Sequence, residues 1–136
     1  MHVSARTDYA VRAMLALAAV APDTLSAPTL AVDQDIPLGF LHAVLADLRR
    51  AGLVYSQRGV VGGYGLLRPA GEVTVGDVLR ATGGTLVTVR GLPPDVTDYP
   101  GVAGPLREVW LATQLAIRDV VDKVSLADLV PAHQLR

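Results

Sequence analysis

A mainly α-helical fold with one small β-hairpin, arranged as a winged helix-turn-helix domain followed by a long C-terminal helix, is predicted by three observations. Apolar residues recur at three- and four-residue steps along most of the chain. A glycine-rich run, Ser56 to Leu67, follows directly on the third of these stretches. A last amphipathic stretch stands apart behind a loop rich in proline and glycine. Composition agrees with this reading. At 51% apolar in 136 residues the chain has enough to bury a core. Phe40 and Trp110 are the only residues of their types, so alanine, valine and leucine supply the apolar mass and favour helices.

Taken in order, Ser4 reads as the N-cap of a first helix running to about Val20, with Val11, Met14, Leu15 and Ala18 on one stripe. Pro22-Asp23 ends it. Ser26 caps a second helix from about Ala27 to Gln34, and Pro28 is tolerated in its first turn, where a missing donor costs nothing. After a turn containing Asp35 and Ile36, Pro37 opens a third helix to Arg50. Leu38, Leu41, Leu45 and Leu48 share one side of it, and Gly52 is its stop. The other side holds Gly39, His42, Ala43, Ala46 and Arg50. Such a slim face lets a helix lie close to base edges in a major groove, although a solvated alanine-rich face is the plainer alternative.

Leu53-Val54-Tyr55 and Tyr64-Gly65-Leu66-Leu67 are the two strands of a wing, closed by Pro69. Its glycine-rich tip carries Arg58. That is the shape of a finger for a narrow groove, where bulk is excluded and positive charge attracted. The alternatives are a structural hairpin with Arg58 merely solvated, or a phosphate-cradling loop. The latter is weak, because this turn lies between two strands and lacks a lysine or an acidic ribose partner.

Thr74 and Asp77 form a capping box for a fourth helix through Thr82, ended by Gly83-Gly84. Residues 85–104, with three prolines and three glycines among them, read as a loop. A helix from near Pro105 places Leu106, Trp110, Thr113, Ile117, Val120 and Val124 on a heptad seam. Val109, Leu111, Leu115 and Val121 widen its apolar surface, so it must bury one side against its own domain and another against a second chain. A homodimer follows. Ser125 and Asp128 make a capping box for a short last helix before Pro131. The expected organisation is a winged helix-turn-helix domain over residues 1–84, a loop over 85–104, and a dimerisation helix with a C-terminal segment over 105–136.

The formal net charge of -1 lacks the basic surplus of many nucleic-acid binders. Lys123 is the only lysine among the 12 basic residues, however, and the forked donors of arginine suit phosphate and guanine. Placement must replace quantity, and a winged-helix module that binds protein instead stays open. The absence of cysteine excludes disulfides, thiol redox chemistry and thiolate-held zinc or iron-sulfur clusters. His2, His42 and His133 lie too far apart in sequence to suggest a metal site. No catalytic grouping of serine, histidine and acid stands out, and the acidic residues are expected on solvent faces. No apolar run is long enough for a bilayer, and no secretion signal begins the chain. A cytosolic, cofactor-free protein without catalytic activity is expected.

With these pieces in place the chain resembles the Rrf family of bacterial winged-helix regulators. The resemblance is carried by Thr7-Asp8-Tyr9-Ala10 with Arg12-Ala13, Ile36-Pro37 with Phe40-Leu41, Leu48-Arg49 with Ala51-Gly52-Leu53-Val54, Ser56 with Arg58-Gly59, Gly62-Gly63-Tyr64, and Ser125-Leu126-Ala127-Asp128-Leu129. It implies a homodimeric repressor or activator on double-stranded DNA, with the second and third helices as the helix-turn-helix and the wing in the neighbouring minor groove. By the same resemblance His42, Gly39 and Ala43 fall where relatives read bases, and Arg58 where they place an arginine. Ser4, Arg6, Thr7 and Tyr9 would lie near the DNA backbone, with free amides at the start of the first helix open to a phosphate. Pro37, Leu38, Arg50, Gly62, Gly63 and Tyr64 complete the candidate set. The family's sensor is usually three cysteines in the loop before the dimer helix, and these are missing; Asp8, at the place of a fourth ligand in one relative, is read as structural. A regulator that binds DNA in only one state of a small-molecule effector is a further alternative.

Overall fold

The computed structural model describes residues 1–60 and 62–131; His133 lies outside them. Among the described residues six α-helices and one two-stranded sheet are ordered α1 (Ala5–Val20), α2 (Ala27–Gln34), α3 (Leu38–Arg50), β1 (Val54–Gln57), β2 (Gly63–Leu66), α4 (Val75–Ala81), α5 (Leu106–Val121) and α6 (Leu126–Leu129). Helix α1 is the hub, touching α2, α3, β2, α4 and α6. Its buried residues Thr7, Ala10, Ala13, Met14, Leu17 and Ala18 recur at helical steps, and the alanines let neighbours approach closely on more than one side. Leu30 from α2, Leu41, Val44, Leu45 and Leu48 from α3, and Val54, Val73 and Val78 complete the core around Met14 and Leu17.

Local chemistry sets the boundaries. The hydroxyls of Ser4 and Ser26 accept from Thr7 N–H and Thr29 N–H, capping α1 and α2 as expected. At the end of α3, Gly52 adopts φ +75, and the Leu53 N–H returns to the Leu48 carbonyl at 3.0 Å. That closing bond holds Leu53 at the helix exit, so β1 starts at Val54. The hairpin is antiparallel with Val54 opposite Leu66 and Gln57 opposite Gly63. Tyr64 also exchanges both backbone hydrogen bonds with Leu25, at 2.8 and 3.0 Å, which fastens the wing to the segment entering α2. Gly63 is required there, because a Cβ would lie 2.5 Å from the Leu25 carbonyl oxygen.

One feature adds detail to the sequence reading and one departs from it. Residues 85–104 hold short 3-10 turns at Pro94–Val96 and Gly101–Ala103, and a tight turn in which Val89 and Leu92 exchange backbone hydrogen bonds. Val87, Pro94 and Thr97 are buried, so this loop packs on the protein. Helix α5 also ends at Val121, which leaves Val124 beyond it. The Val124 carbonyl instead accepts from Val75 N–H at 2.9 Å, and Leu126 N–H donates to the Val73 carbonyl at 2.9 Å. Leu126 and Val130 thereby enter the core built by residues 1–84.

Candidate nucleic-acid interface

Gly39, His42, Ala43, Ala46 and Arg50 are exposed along one face of α3, while Leu41, Val44, Leu45 and Leu48 are buried on the other. Pro37 and Leu38, also exposed, sit at the start of the same helix. The amphipathic division therefore presents a thin face of small side chains to solvent. The hairpin follows immediately. Arg58, Gly59 and Val60 project at its tip, and Arg58 has no hydrogen-bond or ion-pair partner among the described residues. Gly62 lies under the tip, where a Cβ would come 2.1 Å from the Gln57 carbonyl oxygen, and Gly63 and Tyr64 belong to the sheet itself. Gly62 and Gly63 thus set the bend, whereas Tyr64 is half-buried and occupied with Leu25.

The residues near the start of α1 divide. Arg6 is exposed on the protein surface, but Thr7 is 4% exposed and its hydroxyl meets that of Thr82 at 3.1 Å. Thr7 is thus a packing residue and is removed from the candidate contacts. Its N–H is taken by the Ser4 hydroxyl at 3.1 Å, so one of the amides expected to be open to a phosphate is already satisfied. Tyr9 packs edge-to-face against Phe40, with ring centroids 5.3 Å apart and planes at 85°, and the Arg12 guanidinium lies 5.3 Å from its centroid. This contact ties α1 to the start of α3. Asp8 pairs with Arg12 at 3.2 Å.

One site residue escaped the sequence reading. Asp47, expected among solvated acids, is 7% exposed and pairs with both Arg6 and Arg50. The Arg6 Nε donates to Asp47 Oδ2 at 2.6 Å. The Asp47–Arg50 spacing of three is a helical pair visible in sequence; the link to Arg6 crosses 41 positions and is not.

Helix α5 has no buried residue in the single chain. Leu106, Val109, Thr113, Ala116 and Val120 form an exposed seam at steps of three and four. Leu115, 59% exposed, flanks it. Of the predicted seam, Leu106, Thr113 and Val120 lie on this outward side. Trp110 and Ile117 turn to their own chain: the Trp110 indole N–H donates to the Tyr99 hydroxyl at 2.9 Å, and Ile117 faces α4 across a cavity. No helix among the described residues is long and apolar enough to cross a membrane.

Comparison with known proteins decides the family. The Rrf2 family profile, described as iron-dependent transcriptional regulator, matches residues 3–132. The chain belongs to the Rrf2 family of transcriptional regulators. It is 42% identical to the protein Rv1287 of Mycobacterium tuberculosis, named as a helix-turn-helix-type transcriptional regulator, over 98% of this chain and 86% of that protein. It is 30% identical to the helix-turn-helix-type regulator CymR of Bacillus subtilis over 95% of this chain and 89% of that one. Its fold matches the solved structure of CymR, titled the global cysteine regulator of B. subtilis, with a TM-score of 0.78, 28% identity and 95% coverage of both chains. It also matches IscR of T. potens, with a TM-score of 0.75, 32% identity, and coverage of 95% of this chain and 85% of that one. This Rrf2 protein is therefore a DNA-binding regulator with a winged-helix fold, and not an enzyme. The iron dependence in the family description finds no matching donor set among the described residues. The chain has no cysteine, Asp8 is engaged by Arg12, and no cluster of three metal-binding side chains occurs among the described residues.

Proposed function

We propose that this Rrf2 regulator is a homodimeric, sequence-specific repressor that acts on double-stranded DNA in the cytoplasm without an iron-sulfur cluster. One observation carries the reading. The thin exposed face of α3 leads directly into a glycine-bent finger whose Arg58 has no hydrogen-bond or ion-pair partner among the described residues, which leaves its charge to a phosphate or a narrow minor groove. His42, Gly39 and Ala43 would face base edges, with Pro37, Leu38 and Arg50 beside them. The outward seam of α5 would bring two such heads together. Exposed apolar side chains at heptad spacing favour a second helix as their cover.

Selection of bound sequences from random duplexes tests this directly. The expected product is a partly palindromic site whose half-sites lie about one helical turn apart. Arg58→Ala should weaken binding to that site by about tenfold or more while leaving the melting temperature and the oligomeric state unchanged. Affinity should also fall steeply as salt rises, through counterion release. Binding that ignores salt and survives Arg58→Ala would move the assignment to a winged-helix module that docks on protein.

A second reading, a regulator switched by a small-molecule effector, draws on the cavity of about 360 Å³ between α4 and α5. Leu79, Val87, Ile117 and Val121 line it, with Arg80, Gln114 and Arg118 as polar groups. Its size and mixed lining suit a small organic ligand.

A further inference from the structure

Three charged side chains from two helices meet at the edge of the proposed DNA face. Asp47 lies on the inner side of α3 with its side chain 8% exposed, and it accepts from Arg6 at the start of α1 and from Arg50 at the end of α3. The two arginines remain 44% and 71% exposed. A guanidinium carries five N–H donors. Arg6 commits Nε and Nη2 to Asp47 and Arg50 commits Nη2, so each keeps donors directed away from the carboxylate.

We propose that Asp47 is a positioning and specificity-determining residue that holds Arg6 and Arg50 as one pre-oriented pair for the backbone of the operator. This rests on the DNA-binding reading above. Two opposing effects follow from one carboxylate. It removes one unit of positive charge from the face, leaving a net +1 for the trio, and so weakens attraction to any duplex. It also takes from two long, flexible side chains the rotamer freedom they would otherwise lose on binding, which favours only a duplex whose phosphates meet them in that geometry. Attraction to random DNA is given up, and discrimination is gained. The low net charge of the chain and its arginine-only face fit such a design, in which a few fixed cations act in place of a basic surplus.

The experiment measures affinity for the selected operator and for a random duplex with the full-length protein, as a ratio. The ratio is insensitive to a fraction of misfolded protein, because inactive molecules lower both values equally. Asp47→Asn is expected to lower the ratio on the order of tenfold, to leave or tighten binding to the random duplex, and to steepen its salt dependence by about one counterion. Asp47→Glu should restore part of the ratio. In an Arg6→Ala, Arg50→Ala background, Asp47→Asn should no longer change it. An unchanged ratio in Asp47→Asn, or an equal fall in the background lacking both arginines, overturns the positioning role while the DNA-binding reading stands. A parent protein that shows no preference for any duplex overturns both.

Discussion

At Asp77 burial works against the charged carboxyl. The Thr74 N–H, the Arg80 guanidinium and the Thr74 hydroxyl outweigh that burial and hold the group below the ordinary carboxylate range. The capping box read from Thr74 and Asp77 is present in full, with reciprocal bonds of 2.9 and 3.0 Å. Because the folded-state value is depressed, the contribution is present above the unfolded value near pH 4 and is lost as pH falls through the folded one. Asp77→Asn should therefore cost about 0.3–1.5 kcal/mol at neutral pH, as lost capping elements do, and the difference from the parent should shrink in more acidic solution. Denaturant titrations at both pH values check this, and a gap that stays constant would contradict it. Asp47 teaches the opposite lesson about legibility. A capping box spans three residues and is local, whereas the partner of Asp47 on α1 is brought to it only by the packing of α1 on α3.

Among the elements, α6 and α5 differ most in what sequence conveyed. The Ser125–Asp128 box marked α6 correctly, but nothing local indicated that so short a helix would seat Leu126 in the core beneath Val73. Leu126→Ala should destabilise the protein by about 2–5 kcal/mol, as buried leucine deletions do, measured by denaturant unfolding; a loss within error would mean the segment is not part of the core. The exit from α5 is fixed by a second close fit. Gly76 leaves room for Asp122, whose Oδ1 would lie 1.8 Å from any Cβ there and pairs with Arg80 at 2.9 Å. The paired carboxylate of Asp122 first, then that of Asp77, raise the Arg80 guanidinium further above its usual range, so it is a permanent cation joining α4 to the end of α5.

For the whole molecule, the decisive quantity is how the apolar surface of α5 is shared. Periodicity required two buried sides and proposed one seam. In three dimensions Gln114, Ile117 and Val121 face α4 and the segment around Val87 across the cavity, while Trp110 bonds to the loop through Tyr99. The outward seam is consequently Leu106, Val109, Thr113, Ala116 and Val120. Val109 and Val120 are 52% and 63% exposed. Val109→Glu together with Val120→Glu should convert a dimer to monomers in sedimentation, because two charges on each helix would be buried without partners. In the proposed homodimer, which would bind half-sites in pairs, operator affinity should fall with it. Dimers that persist in the double variant would place the contact elsewhere.

The ends of α1 to α4, the capped start of α6, the hairpin and the exposed arginine of its glycine-rich tip were determined by the chain itself, because caps, prolines, glycines and three-to-four-residue periodicity act within a few positions of one another. Tertiary structure alone decided which side of α5 faces outward, that Leu126 closes the core, that Thr7 is packed away, and that Asp47 gathers Arg6 and Arg50. Each of those depends on contacts between residues far apart in sequence, and a heptad pattern or a lone acidic residue has the same local appearance whichever neighbour the fold brings to it.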